Sequence, residues 1–329
     1  MLSDRLTIAL ETGAFTIPPS GAIAVVGPRA SDDLSELPID RVEVVTRHYL
    51  DFKAFQDQDF TVATNVGGPY SAAVICVPRS KAEARDMIWS VAQATDGPIA
   101  IDGKKTDGVD SILKDIRKRS AIGESISKAH GKFFTFTGGD FVDWAPQPNA
   151  PLDGKFQTAP GAFSADKIDP GSQQLAEALP KALKGHVVDL GAGWGYLSDA
   201  ILNRDGVTRL DLVEADHAAL QAAKKNISDP RARFHWADAR TFRPDARVDH
   251  VVSNPPFHQS RAADPGLGQA FIRAAASMLK PSGHLWLVAN RHLPYESTLQ
   301  DAFQSVDILG QTASFKLYTA ARPRSSRKG

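Results

Sequence analysis

The 329-residue sequence holds one cysteine, Cys76, which excludes an intramolecular disulfide and any multi-cysteine zinc site. Its setting in the apolar run AAVICVP reads as a small buried hydrophobe rather than a nucleophile. Net charge is absent as well. Thirty-eight Lys and Arg cancel thirty-eight Asp and Glu, so no global field draws in nucleic acid, and such a partner needs a local patch. No run approaches the length of about 18 apolar residues that a membrane helix requires, so no membrane partner is expected. The opening stretch MLSDRLTIALETG has acids where a signal peptide has its apolar core, and a reducing cytoplasm is the expected compartment. The nine histidines are scattered without ligand spacing, and no metal is expected.

What is present is an ordinary globular composition, 42% hydrophobic and 23% charged, in a chain long enough for two domains. A proline-rich stretch, WAPQPNAPLDGKFQTAP at residues 144–160, separates two halves that resemble each other. The expected division is a first domain over 1–145, an extended connection over 146–160 and a second domain over 161–329. Short apolar strands alternate with helical segments in both halves, which predicts an α/β fold with largely parallel sheets covered on both faces. Arg41-Val-Glu-Val-Val matches Arg209-Leu-Asp-Leu-Val, SILKD at 111–115 mirrors STLQD at 297–301, and Pro78 falls where Pro255 falls. The pattern is that of a duplicated domain.

The halves diverge where chemistry would sit. The second has VVDLGAGWGYLSDAIL, a strand, a glycine turn and a helix; the first has only VVGPRAS. Gly191, Gly193 and Gly195 let the backbone approach a ligand closely at a helix N-terminus. The dinucleotide fingerprint fails, because the position three residues after Gly193 is Tyr196. Asp189 inside the loop would repel a pyrophosphate and suits a cationic ligand such as a sulfonium bearing an amino acid. Glu214 ends the next strand, where α/β folds place a carboxylate on ribose hydroxyls. Asp216 reads as a helix cap, and Asp238 follows one strand later, within reach of an adenine amino group.

The second divergence is SNPPF against CVPRS. Two prolines stop strand pairing abruptly, which leaves Asn254 at a strand end on a stiff backbone. Together with the glycine loop and its acids, this set resembles the class I S-adenosylmethionine-dependent methyltransferases, in the branch that modifies planar nitrogen. GAFSADKIDPGSQQLAEALP (161–180) and FKLYTA (315–320) carry the resemblance further, to the RsmC family of small-subunit rRNA guanine-N2 methyltransferases. That family is built from two tandem Rossmann-like methyltransferase domains, the first degenerate. The similar RlmG family, acting on large-subunit RNA, stays open. Glu214 stands where many relatives have Asp, a change that should preserve ribose binding.

The resemblance implies S-adenosyl-L-methionine as cofactor and ribosomal RNA or a ribosomal subunit as partner. It implies Asn254, Pro255, Pro256 and Phe257 around the target base, with Phe257 stacking on it. For the cofactor it implies Asp189, Gly191, Gly193, Gly195, Glu214, Asp238, Asn254, Phe163 and Ser172. His258 reads as a loop or rim residue with a proton relay as the other option. Basic runs offer Arg117, Lys118, Arg119 and Lys316 as RNA contacts, although a solvated helix face and a terminal tail explain such runs equally well. Two other functions stay open from the residues alone: a glutamine-N5 protein methyltransferase, which also uses Asn-Pro-Pro with an aromatic, and a non-catalytic RNA-binding module.

Overall fold

The computed structural model describes residues 2–147, 150–256 and 265–324. The chain divides into two compact units, 1–148 and 149–329. Each is built on a seven-stranded sheet, and the two sheets share one strand order.

In the first unit the helix α1 (Leu2–Glu11) precedes β1 (Ile23–Val26), β2 (Val42–Val45), α2 (Tyr49–Gln56), β3 (Thr61–Ala63), β4 (Ala72–Cys76) and α3 (Lys81–Ala94). β5 (Ile99–Lys104), α4 (Val109–Ile116), β6 (Ile122–Lys128) and β7 (Gly131–Phe136) complete it, in the order β3-β2-β1-β4-β5-β7-β6. All four residues of β1 are buried, as expected of a central parallel strand with helices on both faces. Ser80 caps α3 by accepting the Glu83 N–H, the first half of a capping box.

The second unit has α5 (Pro170–Ala178), β8 (Ala182–Leu190), α6 (Tyr196–Leu202), β9 (Asp205–Glu214), α7 (His217–Asn226), β10 (Ala232–Trp236) and β11 (Val248–Ser253). α8 (Pro265–Met278), β12 (Leu279–Asn290), α9 (Glu296–Ala302), β13 (Phe303–Gln311) and β14 (Phe315–Pro323) follow, in the order β10-β9-β8-β11-β12-β14-β13. Six strands run in one direction and β14 lies antiparallel between β12 and β13. The chain reverses its direction of travel across the sheet between β8 and β11. In open α/β sheets that switch point opens the crevice where ligands bind.

The fold class read from the sequence stands: two tandem Rossmann-like α/β units. β3, β6 and β13 escaped that reading. All three are edge strands, and β6 (IGESISK) and β13 (FQSVDILGQ) expose most of their residues, so they carry little of the apolar signal that marks a central strand. The expected connection over 146–160 needs correction. Its later part is packed, with Phe156 buried against Trp194 and Tyr196. The Asn226 side chain accepts the Gln157 backbone N–H and donates to the Gln157 carbonyl, so a stretch rich in proline becomes a strap on the second unit.

Backbone hydrogen bonds align the units residue by residue. Gly27 N–H donates to the Val45 carbonyl as Gly191 N–H donates to the Val213 carbonyl. Val25 therefore occupies the place of Asp189, and Thr46 that of Glu214. Val25 pairs with Val74, and Asp189 with Val252, which sets Cys76 at the place of Asn254. It also sets Pro78 against Pro256 rather than Pro255, a one-residue correction to the sequence match.

Candidate active site

Asp189 sits near the C-terminal end of β8 and is fully buried. Its Oδ2 accepts a 2.6 Å hydrogen bond from Ser198 Oγ on α6, and its Oδ1 has no partner among the described residues. Burial pushes this carboxyl up to about 7, and the nearby Glu214 charge adds to the shift against the Ser198 hydrogen bond. The following loop turns on three left-handed glycines, Gly191 (φ 82°), Gly193 (φ 56°) and Gly195 (φ 94°). A Cβ added at Gly193 would meet nothing within 4 Å, so the loop there faces open space.

Glu214, the last residue of β9, is tied to that loop. Its Oε2 accepts the Gly193 N–H at 2.7 Å and its Oε1 accepts the Asp216 N–H at 2.8 Å. Burial raises its pKa against these two backbone bonds. Each carboxylate oxygen keeps a further lone pair for a ligand hydroxyl. Asp216 caps α7 through the Ala218 and Ala219 N–H groups, as its position suggested.

Asn254 follows β11 directly. Ser253 Oγ donates to the Leu190 carbonyl at 2.7 Å, which ties the ends of β8 and β11 together and sets Asn254 beside the glycine loop. The Asn254 side chain is buried, and its Nδ2 donates to Asp169 Oδ2 at 2.9 Å and to Ser172 Oγ at 2.8 Å. Its Oδ1 accepts nothing among the described residues. A buried amide with a saturated nitrogen and a free oxygen keeps its acceptor available for a further donor. Pro255 is buried and Pro256 exposed, while Phe257 and His258 lie outside the described residues.

The remaining candidates each have contacts of their own. Ser172, expected at the cofactor, accepts a hydrogen bond from Asn254 with its hydroxyl. Asp238 is buried, and its charge is paired within its own chain: Arg240 Nε lies 2.9 and 3.0 Å from its two oxygens. A ligand amine would have to share those oxygens. Phe163 is 56% exposed and not part of the core, and its carbonyl accepts Trp194 Nε1 at 3.0 Å, which fixes it over the glycine loop. Of the basic candidates, Arg117 and Lys118 are exposed. Arg119 is instead forked onto Asp143 at 2.7 and 2.8 Å and lies over the Trp144 ring. Lys316 pairs with Glu296, which also accepts the Tyr318 hydroxyl. Both are committed within their own unit.

Sequence reasoning missed Asp169 and Ser198. The pattern Asp169-Pro170-Gly171-Ser172 announces a capped helix with proline at its first position, and that signal was available. Nothing in the sequence pairs Ser198 with Asp189, because that contact follows only from the loop's turn.

Residues 153–319 match the family model described as the methyltransferase small domain, which is more than half of the chain. The chain belongs to that family. The methyltransferase small domain thus accounts for the second unit, from the strap at residue 153 to β14. Ribosomal RNA small subunit methyltransferase C of Erwinia tasmaniensis is 34% identical over 186 residues, 56% of this chain and 54% of that protein. The protein of the same name from Escherichia coli O1:K1 is 34% identical over 174 residues, 53% and 51% of the two chains. The chain therefore spans about half the length of the curated relatives it matches. The similarity extends over both units in a solved structure, the T. thermophilus 16S rRNA N2 methyltransferase RsmC in complex with AdoMet and guanosine. It has a TM-score of 0.81 at 25% identity and covers 98% of this chain and 91% of that chain.

The donor set fits a cofactor with a cationic amino acid end and a ribose. Asp189 offers an unpartnered buried oxygen, Glu214 offers two oxygens with spare capacity, and Gly193 leaves the space open. Among the described residues no helix is long and apolar enough to cross a membrane, and no cluster of three metal-binding side chains occurs.

Proposed function

We propose that the second unit transfers a methyl group from S-adenosyl-L-methionine to the exocyclic N2 of a guanine in small-subunit ribosomal RNA. The observation that carries this reading is the Asn254 amide, whose nitrogen is bonded twice and whose buried oxygen is idle. The names of the relatives and the AdoMet and guanosine in the RsmC complex agree with it. Such a reaction belongs in the cytoplasm, where ribosomal subunits are assembled.

The bound cofactor supplies an electrophilic methyl group on a sulfonium, a strong leaving group. Asp189 Oδ1 would hold its ammonium group and Glu214 its ribose hydroxyls, with Gly191, Gly193 and Gly195 leaving room for the chain between. An exocyclic guanine amine is a weak nucleophile because its lone pair is delocalised into the ring. Asn254 Oδ1 accepts one amine hydrogen and a backbone carbonyl of the Asn-Pro-Pro segment accepts the other. This localises the lone pair toward the methyl group and stabilises the positive charge that develops on nitrogen. The prolines keep that carbonyl fixed. Positioning of this kind supplies on the order of 7–11 kcal/mol of acceleration, so no acid–base dyad is required. The surplus proton leaves the nitrogen for solvent once the bond has formed.

A base stacked in a duplex cannot bring its amine coplanar with these acceptors. The substrate guanine is therefore unpaired or extruded, at a cost of a few kcal/mol. Exposed Arg117 and Lys118 on the first unit give RNA a local basic contact on an otherwise neutral chain. The test is mass spectrometry of nucleosides from ribosomal RNA incubated with the protein and labelled cofactor. N2-methylguanosine is expected; label found only on protein glutamine would move the assignment to a glutamine-N5 methyltransferase.

A further inference from the structure

We propose that Asp169 is a positioning residue for this reaction, acting through Asn254 to dictate which end of the amide meets the substrate. The proposal rests on the guanine-amine reading above. A carboxamide is nearly symmetric in shape, and its two orientations have opposite chemistry. With oxygen outward it accepts an amine hydrogen; with nitrogen outward it opposes donor to donor and leaves the bound amine without the acceptor that aligns it. Shape does not choose between them, so hydrogen bonding must.

Here two acceptors converge on one nitrogen. Asp169 Oδ2 and Ser172 Oγ lie 2.9 and 2.8 Å from Asn254 Nδ2, which uses both of its hydrogens. Turning the amide over would aim its oxygen at the Asp169 carboxylate, replacing a charge-assisted hydrogen bond with a repulsion. The same carboxylate polarises the amide, which makes the outward oxygen a better acceptor.

The local sequence is arranged to permit this. Asp169 caps α5, with Oδ2 accepting the Ser172 N–H at 2.8 Å, and so the carboxylate is pinned from the helix side as well. Pro170 at the first helical position fixes the entry of the chain. A Cβ at Gly171 would stand 3.0 Å from Asp169 Oδ2 and 3.0 Å from the Phe315 ring, so glycine leaves the space that the carboxylate and ring fill. Capping alone would be served by Ser, Thr or Asn. The additional reach to Asn254, 85 residues further along the chain, is what a carboxylate at this position adds.

The experiment compares Asp169→Ser, Ser172→Ala and Asn254→Ala in the full chain, singly and as the Asp169→Ser/Asn254→Ala double variant. Serine keeps the helix cap, so thermal stability should hold in Asp169→Ser. Its kcat should fall about ten- to a hundredfold, with cofactor affinity and the KM for ribosomal RNA within about twofold. Ser172→Ala should show a smaller fall of the same kind, and serves as the measure if Asp169→Ser does not fold. In the Asn254→Ala background, Asp169→Ser should cost nothing further. Unchanged kcat in Asp169→Ser beside an inactive Asn254→Ala overturns the positioning role and leaves the amine reading intact. An additional loss in the double variant also overturns it, since Asp169 would then act independently. If Asn254→Ala itself keeps its turnover, the amine reading fails and this proposal goes with it.

Discussion

The two units place the same helix against the same sheet and finish with opposite results. In the first, α1 sends Arg5 to Asp102 on β5, at 2.5 and 2.8 Å, and Arg5 Nη1 also donates to the Lys128 carbonyl. Both side chains are nearly inaccessible. In the second, α5 sends Asp169 and Ser172 to Asn254, and Val288 occupies the register of Asp102. The first arrangement is closed, since each charged group finds its partner inside the fold. The second leaves acceptor oxygens on Asn254 and Asp189 without a partner among the described residues. Burying an unpaired polar atom costs stability, and a protein that keeps two at one switch point holds them for a ligand.

The loop after the first strand repeats the lesson. Asp189 corresponds to Val25 and Glu214 to Thr46. In the first unit the buried carboxylate of Asp51 receives the Ala30 N–H at 2.8 Å. The loop is anchored in both units. Only the second combines its anchor with an acid in the strand and glycines beside it.

The widest separation should come from breaking the closed side. Asp102→Ala leaves Arg5 buried without its carboxylate and should destabilise the first unit by about 3–5 kcal/mol. Denaturant unfolding of the full chain measures this; a loss below about 1 kcal/mol would mean that water reaches Arg5. The matched change on the open side is Asn254→Ala, which should cost little stability while turnover falls by roughly 10²–10³ with cofactor affinity retained. Cys76→Ala, its counterpart in register, should leave methylation of ribosomal RNA unchanged.

Next come the acids. Glu214→Ala removes charge-assisted hydrogen bonds and should weaken cofactor binding by about 1.5–3 kcal/mol in calorimetry. Equilibrium dialysis of the full chain should find one cofactor per chain; a second site would show that Val25 and Thr46 do not disable the first unit. For Asp189 the sign is testable through pH. Its carboxyl is raised to about 7, so its contribution to stability is fully present below about 4, its unfolded range, and is lost as pH rises through 7. A cationic ligand needs the ionised form, so affinity should rise from pH 6 to pH 8 while ligand-free stability declines. Asp189→Asn should flatten both profiles. Parallel profiles in the two proteins would remove Asp189 from the site.

The smallest effect belongs to the first unit's surface. Arg117→Ala with Lys118→Ala should raise the KM for RNA several-fold with kcat unchanged, and should lower the salt slope by roughly 0.7–0.9 per lost phosphate contact. Arg119→Ala should lower the stability of the first unit slightly, because it loses the Asp143 fork and the Trp144 face. An RNA effect without a stability effect would reverse that distinction.

Sequence alone determined the central strands of both sheets, the duplication, the glycine turn with Asp189 and Glu214, and Asn254 at its strand end. These are written in local chemistry: apolar runs, left-handed glycines, and prolines that cannot extend a ladder. The edge strands β3, β6 and β13 were not legible, because solvent on one side erases the apolar pattern, whereas the edge strand β10 kept enough apolar residues to be read. Nor was the strap over 152–160, where Phe156 finds Trp194 only once α6 and α7 are in place. The site's final character was decided by contacts between residues far apart in the chain. Ser198 fills one oxygen of Asp189, Arg240 occupies Asp238, and Asp143 takes Arg119 out of the candidate RNA surface. Above all, Asp169 and Ser172 choose the orientation of Asn254. The sequence names an amide at that strand end, but which of its two ends faces outward depends on partners that only the folded chain brings within 3 Å.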